Sequence, residues 1–325
     1  MKRPRDHGGN LDAAIARFGG RRSQWLDLST GINPNPYPVG DLPKECWQAL
    51  PRRADVKRLC DAASAAYDTQ AAIIPFNGAQ GAIQLLPLLK SPGRATIVGP
   101  TYNEHRASLV AHGWDVRDVS EVSETSGSDL AIVVNPNNPD GRFWPSEVLL
   151  ELSESVGTLV IDESFVDPTP ENSVVPALSG DQNVVVLRSF GKFYGLAGLR
   201  LGFALATGAH AERLSELSGP WPVAGQAIEI GAQALADRDW QRATITELNA
   251  SAERLDALAE NAGWRLEGGT ALFRTYSVPS AAKAQDDLAA SKVWSRIFPY
   301  SEHWIRLGLP ARHQWDQLEN AFQLV

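Results

Sequence analysis

The segment Ser189-Phe-Gly-Lys-Phe-Tyr-Gly-Leu-Ala-Gly-Leu-Arg200 sets a lysine among small residues, three positions after a serine and eight before an arginine. Small neighbours let a flat group approach the backbone closely. The amine of Lys192 can form a Schiff base with an aldehyde, while Ser189 and Arg200 can hold a phosphate. A molecule carrying both groups is pyridoxal phosphate, whose enzymes pair such a lysine with an acidic group for the pyridine nitrogen. Alone, the segment favours this reading only modestly over an ordinary glycine-rich loop with one exposed lysine, because such loops are common, so other residues must decide.

Those residues sit where strands are expected to end. Thr158-Leu-Val-Ile-Asp162 is a β-branched apolar run closing on a carboxylate, which reads as a buried parallel strand with Asp162 at its carboxyl end. Ligands of open α/β sheets bind at that edge, and a carboxylate there can keep a pyridine nitrogen protonated. The other reading of Asp162 is a helix N-cap. Leu130-Ala-Ile-Val-Val134 reads as a second strand, running into the turn-rich Asn135-Pro-Asn-Asn-Pro-Asp-Gly141, where Asn138 can bond a ring hydroxyl. Phe76-Asn-Gly-Ala-Gln-Gly81 opens the apolar stretch Ala82–Leu89, and backbone N–H groups at a helix start bind phosphate. Arg94-Ala-Thr-Ile-Val98 reads as another strand, followed by Tyr102, a ring that can stack on a pyridine face or simply fill a core.

Strands alternating with helical stretches predict an α/β fold, a mainly parallel sheet flanked by helices with a smaller C-terminal α/β domain. The expected divisions are an extended N-terminal arm over 1–35, a large cofactor-binding domain over 36–215 and a small C-terminal domain over 216–325. Val223–Asn261 has the composition of long helices, and Trp304-Ile-Arg-Leu alternates like a strand. A net charge of −8 excludes a general preference for nucleic acid or an anionic membrane, so an anionic substrate needs local arginines. Two cysteines and six scattered histidines offer neither a disulfide framework nor metal spacing, and no metal is expected. The start has no apolar leader and no long apolar run follows, which predicts a cytoplasmic protein.

Taken in order, Gly78-Ala-Gln80, Tyr102, Asn138-Pro-Asp-Gly, Asp162, Ser189-x-x-Lys192 and Arg200 resemble the fold-type I pyridoxal phosphate enzymes, the aspartate aminotransferase superfamily. The resemblance runs across most of the chain. It implies pyridoxal 5'-phosphate as cofactor, with Lys192 as the Schiff-base lysine, Asp162 as the pyridinium partner and Asn138 on the ring hydroxyl. It further implies Tyr102 as the stacking ring, with Ala79, Gln80, Ser189 and Arg200 on the phosphate.

His7-Gly-Gly-Asn10, the Ser-Thr-Gly-Ile-Asn-Pro element near Tyr37, and Trp304-Ile-Arg-Leu-Gly-Leu-Pro310 narrow the likeness further. They resemble the threonine-phosphate decarboxylase branch of cobalamin biosynthesis, a relative of the histidinol-phosphate aminotransferases. The implied reaction turns L-threonine O-3-phosphate into 1-amino-2-propanol phosphate. An aminotransferase of the histidinol-phosphate type shares every cofactor residue and stands as the alternative. Phe165 departs from it, since many relatives place there a tyrosine that bonds the ring hydroxyl. A silent binding module of the same fold is opposed by the intact Lys192, Asp162 and Arg200.

The likeness also implies a homodimer in which Tyr37 of Asn35-Pro-Tyr37 reaches the neighbour's cofactor phosphate. On the substrate side, His7 and Asn10 have donors suited to its phosphate, and the glycines between them can expose N–H groups to it. Arg306 is the expected ligand of the substrate carboxylate, against an internal salt bridge as the other reading. The expected partner is therefore a small phosphorylated amino acid.

Overall fold

The structure, a computed structural model, describes residues 7–325; the first six residues of the expected arm lie outside the described residues. The chain forms two compact units, one of Pro36–Arg242 and one of Ala243–Val325 with the described part of Met1–Asn35. The large unit thus runs past residue 215, where its end was expected. The reason is the helix Gly225–Ala236, apolar along most of its length, which packs on the helix Arg53–Tyr67 within the large unit. Gly231 makes this close, since a Cβ there would stand 2.5 Å from a methyl of Leu201 and 2.9 Å from one of Leu59.

The large unit is built on a seven-stranded sheet: β1 (Ala72–Asn77), β2 (Arg94–Val98), β3 (Asp115–Val119), β4 (Leu130–Val134), β5 (Leu159–Asp162), β6 (Val184–Arg188) and β7 (Leu201–Ala206). Their order is β1-β7-β6-β5-β4-β2-β3. From β6 to β3 all pairings are parallel, while β7 runs antiparallel to both its neighbours. Every residue of β4, β5, β6 and β7 is buried, which is why these strands read as continuous apolar runs without alternation. The edge strand β3 carries Asp115, Arg117 and Asp118, charges that discourage pairing with another chain. Because β2, β4, β5 and β6 are parallel, their carboxyl ends lie along one edge.

The second unit holds an antiparallel sheet of β8 (Arg265–Thr270), β9 (Phe273–Ser277), β10 (Arg296–Phe298) and β11 (Ser301–Gly308), in the order β10-β11-β9-β8. The N-terminal segment belongs to this unit and is not the extended arm expected of it. Leu11, Ala14, Ile15 and Phe18 fall on one face of the helix Leu11–Phe18 and bury against Trp25, Ala289 and Trp294. The rings of Phe18, Trp25 and Trp294 meet pairwise at 6.2–6.3 Å. Lys292, at φ 62°, closes the helix by donating from Nζ to Phe18 O at 2.7 Å. Leu26–Asp27 then pairs in parallel with Val293–Trp294.

One glycine couples the large sheet to the turn after β1. Gly202 on β7 lies opposite Phe76, and a Cβ on it would stand 2.3 Å from Ala79 N and 2.6 Å from Gly78 C. Both are backbone atoms, which cannot swing aside as a side chain can. Gly202→Ala is therefore expected to destabilise the protein by about 1–3 kcal/mol, the usual cost of overpacking. Urea unfolding of variant and wild type measures this, and an unchanged midpoint would show that the turn yields freely.

Candidate active site

The carboxyl ends of β2, β4, β5 and β6, with the turn after β1, enclose one pocket. Ala79, Gln80, Tyr102, Asn138, Asp162, Ser189, Lys192 and Arg200 all line it, together with Phe165 and Ser164. Eight residues named from the sequence motifs and the family resemblance thus line a single cavity in the large unit. Tyr37 is elsewhere in the same unit. Its hydroxyl donates to Asp237 Oδ2 at 3.4 Å and its ring meets Trp240 edge-on at 5.1 Å.

Asp162 is the electrostatic centre. It is 2 % exposed and ends β5. Its Oδ2 lies 2.8 Å from His105 Nε2, and its Oδ1 accepts from Ser164 N at 3.0 Å and from the Ser164 hydroxyl. Burial works against a charge on this carboxylate, but the bond and charge of His105 and the two Ser164 donors outweigh it and hold its pKa below the ordinary carboxylate range. Asp162 does not cap a helix. Spacing analysis passed over both partners, although each left a local trace. His105 follows Tyr102 by three residues at the start of one helix, and Ser164 stands in the Asp-x-Ser arrangement that favours a side chain bonding its own backbone.

A buried ionic clamp stands behind this. Glu163 N donates to Leu187 O at 2.9 Å, and its side chain accepts from Val174 N at 2.7 Å, Ser173 Oγ at 2.6 Å and Arg188 Nη1 at 3.2 Å. Arg188 also pairs with Asp167 and lies 4.1 Å from the ring centre of Tyr67. Asp162 and Glu163 are neighbours, as are Arg188 and Ser189. The clamp thus fixes the ends of β5 and β6 that present Asp162 and Ser189 to the pocket.

The phosphate end has two preparations. Helix Gly78–Leu85 starts after Asn77 without a side-chain cap, so its first N–H groups are left to another acceptor. Gly78 sits at φ 72°, and a Cβ on it would lie 2.5 Å from Arg200 Nη2. Arg200 itself adopts φ 56°, a conformation costly for a non-glycine residue and typical of functional positions. Its Nη1 donates to Ala197 O at 2.9 Å. Ser189 precedes the short helix Phe190–Phe193 without capping it. Lys192 Nζ lies 5.4 Å from the ring centre of Phe165. In the loop after β4 the two asparagines divide the work: Asn137 is 1 % exposed and bonds Thr101, Pro100 and Asp140, which leaves Asn138 on the pocket wall.

An amine, an ionised carboxylate, an amide, a hydroxyl, a guanidinium and an uncapped helix start form a donor set that fits pyridoxal phosphate. The missing Cβ of Gly78 lets the Arg200 guanidinium close on the uncapped helix start, a pairing that suits the cofactor's phosphate end.

In the second unit, His7 and Asn10 line a shallow cavity with Ser29, Trp294 and Arg296. Asn10 also has a structural duty, its Oδ1 accepting from Ala13 N at 3.3 Å as the helix cap. The N–H of Gly9, expected to face a phosphate, instead donates to Ser29 Oγ at 2.7 Å. Gly8 is required for that approach, since a Cβ there would stand 2.3 Å from Ser29 O. Arg306 is 6 % exposed on β11, donates from Nη2 to Ser29 O at 2.8 Å and lies over the Phe273 ring at 5.1 Å. Burial, and then the charge of Arg296 directly opposite it, lower its pKa to about 10. Arg296 was not singled out in the sequence, where Ser295-Arg296-Ile297-Phe298 lacks the alternation that marks Arg306 in its own strand.

Residues 52–325 match the family aminotransferase class I and II, and the chain belongs to that family. It is 42% identical over 318 residues to a threonine-phosphate decarboxylase from Sinorhizobium sp, covering 95% of this chain and 94% of that protein. It is 39% identical over 324 residues to the threonine-phosphate decarboxylase of Pseudomonas aeruginosa, covering 97% and 96%. In fold it is similar to the histidinol-phosphate aminotransferase from Sinorhizobium meliloti, solved in complex with pyridoxal-5'-phosphate, with a TM-score of 0.78 at 20% identity over 96% of this chain and 92% of that one.

The Ser164 bonds give a test with a definite sign. A carboxylate whose pKa is depressed by folding contributes stability in full above its ordinary value near about 4, and loses it as the pH falls through the depressed value. Ser164→Ala removes one donor to the charged form, so it should cost about 1.5–3 kcal/mol near neutrality, the range for a bond to a charged group. The cost should fade on acidification, as Asp162 takes up its proton in both proteins. Urea unfolding at a series of pH values measures the gap, and a gap independent of pH would separate Ser164 from the charge on Asp162.

Proposed function

We propose that this protein is a pyridoxal phosphate-dependent carboxy-lyase that converts L-threonine O-3-phosphate into 1-amino-2-propanol phosphate and CO2, a step of cobalamin biosynthesis. The convergence of Lys192, Asp162, Asn138, Ser189 and Arg200 on one pocket carries the cofactor part of this reading. The substrate part is supported by the near-full-length similarity to two threonine-phosphate decarboxylases.

When bound, pyridoxal phosphate supplies an aldehyde that takes up an amine and a protonated ring that accepts the electron pair of a bond broken at Cα. The remaining work falls to the chain. Asp162 holds the proton on the ring nitrogen, which its own low pKa makes possible. Ser189, Arg200 and the first N–H groups of Gly78–Leu85 hold the phosphate, Asn138 holds the ring hydroxyl, and Tyr102 covers one face. Lys192 Nζ would be the amine that holds the cofactor's aldehyde and, once free, the acid that would supply the proton taking the place of CO2 at the substrate's Cα. Phe165 brings a wall without a hydroxyl, so Asn138 is the protein's hydroxyl partner.

The substrate is a small molecule with a carboxylate and a phosphate, and the second unit offers Arg306 and Arg296 to such anions despite the chain's net charge of −8. Arg306 takes the carboxylate, and His7, Asn10 and Arg296 take the phosphate. The same reading makes the protein a cytoplasmic homodimer, with Tyr37 on the cofactor phosphate of the other subunit. Both cysteines are free, in keeping with a reducing compartment. Among the described residues no helix is long and apolar enough to cross a membrane.

Incubation with O-phospho-threonine and identification of the products tests the reaction. CO2 and an amine phosphate are expected, and a keto acid would establish the aminotransferase instead. Lys192→Ala should abolish turnover and the visible absorbance of the protein-bound aldehyde, and a variant that kept that colour without added amine would refute the lysine's role. Arg306→Lys keeps the charge but loses the planar fork. It should raise the barrier reported by kcat/KM by about 1.5–3 kcal/mol with cofactor occupancy unchanged, the range for a lost hydrogen bond to a charged group. Near-normal turnover in that variant would remove Arg306 from the carboxylate.

A further inference from the structure

The helix Asn103–Ala111 begins directly after Tyr102, and its start reaches the pocket in three ways. Tyr102 lines the wall, His105 holds Asp162, and Glu104 is engaged with Gln80. The last of these has no part in the chemistry described so far.

Glu104 is 9 % exposed, and its Oε2 accepts from Gln80 Nε2 at 3.2 Å. Gln80 Oε1 in turn accepts from the Tyr102 hydroxyl at 3.1 Å. A carboxylate only accepts, and a glutamine side chain has one donating end and one accepting end. Glu104 therefore draws the NH2 of Gln80 to itself and turns the carbonyl toward Tyr102. The phenol must then donate, and its ring is tied at both ends, at Cα by the helix start and at Oη by Gln80. Tyr102 is half-buried, one side of its ring packed on the core of the large unit and the other facing the pocket. Edge contact with the His105 ring, at 6.0 Å between centres, limits rotation about the ring's long axis, while the hydroxyl bond, which lies on that axis, holds its far end in place.

We propose that Glu104 is a positioning residue that acts through Gln80 to hold the far end of the Tyr102 ring, and so the tilt of the surface on which the cofactor ring lies. This rests on the cofactor reading given above. It also changes the part played by Gln80. With its side chain committed to Glu104 and Tyr102, Gln80 serves the phosphate through its backbone N–H at the helix start.

The test uses the purified full chain, with the variants E104A, E104Q, Y102F and the double variant E104A/Y102F. Pyridoxal phosphate affinity is measured by titration after the cofactor is stripped, and ring orientation by visible circular dichroism of the bound cofactor. E104A should weaken binding by about tenfold, in line with a lost bond to a charged group, and should alter the visible signal. E104Q keeps an acceptor at the same place and should restore most of both. Y102F cuts the chain at its end, so E104A should add little to it. Equal losses from E104A with and without the tyrosine hydroxyl would overturn the proposal, since independent effects add. Wild-type affinity and signal in E104A would overturn it too. If E104A does not fold, Gln80→Met carries the same test from the middle of the chain, and it must reproduce the Y102F signal without adding to it. Failure of the wild-type chain to bind pyridoxal phosphate at all would sink the cofactor reading itself, which these comparisons among variants do not address.

Discussion

The site depends on keeping one buried carboxylate charged. Asp162 lies where water cannot solvate it, and an isolated charge in such a place shifts its pKa and neutralises itself. A neutral acid there could not hold a proton on a ring nitrogen. The protein resolves this with short-range partners in place of solvent: His105 on one oxygen, and the hydroxyl and N–H of Ser164 on the other. Each comes from a different constraint of the chain. His105 arrives because a helix starts two residues earlier, after the loop that follows β2. Ser164 arrives because the backbone turns immediately after β5.

Charge placement of this kind needs fixed strand ends, and the fold supplies them twice over. Parallel pairing brings the carboxyl ends of β2, β4, β5 and β6 to one edge. The Glu163–Arg188–Asp167 clamp then locks β5 to β6 just where they stop pairing. An ion cluster buried this deeply is weak support for stability, because desolvation opposes the Coulombic gain. Its value lies in geometry. Glu163 and Arg188 directly adjoin the two residues whose spacing the chemistry requires, and the fork of Arg188 accepts few arrangements of its partners.

Much of the large unit was legible in the sequence, for a physical reason. Buried parallel strands are uninterrupted apolar runs, so β4 and β2 were read with their observed bounds, and the polar residue closing such a run is conspicuous. Asp162 could be picked out for that reason, whereas Asn138 and Tyr102, each four residues past its strand, took their roles from the family resemblance. His105, Glu104 and Ser164 could not be picked out, since a polar residue in a helix start or a turn is ordinary and only its partner gives it meaning. The N-terminal segment was misjudged because its glycines and prolines suggested an open arm. Leu11, Ala14, Ile15 and Phe18 carry a helical period of only two turns, and what they bury against, Trp294 and Ala289, lies near the other end of the chain. The boundary expected at 215 failed similarly: a change of composition marked where helices begin, whereas packing decides where a unit ends.

The second unit has its own electrostatic problem, the reverse of that at Asp162. Arg296 and Arg306 stand directly opposite each other on antiparallel strands, and like charges in that relation are unfavourable. Arg306 is buried as well, and its pKa of about 10 records both costs while leaving it charged at neutral pH. Hydrophobic side chains at these two positions would suit the sheet better. A protein retains such a pair where an anion offsets the repulsion, and an anion with two negative groups offsets it more than an anion with one. On the function proposed above, the arginines would favour a substrate that is both carboxylate and phosphate over a plain amino acid, a selection that is electrostatic and stands apart from the chemistry at Lys192.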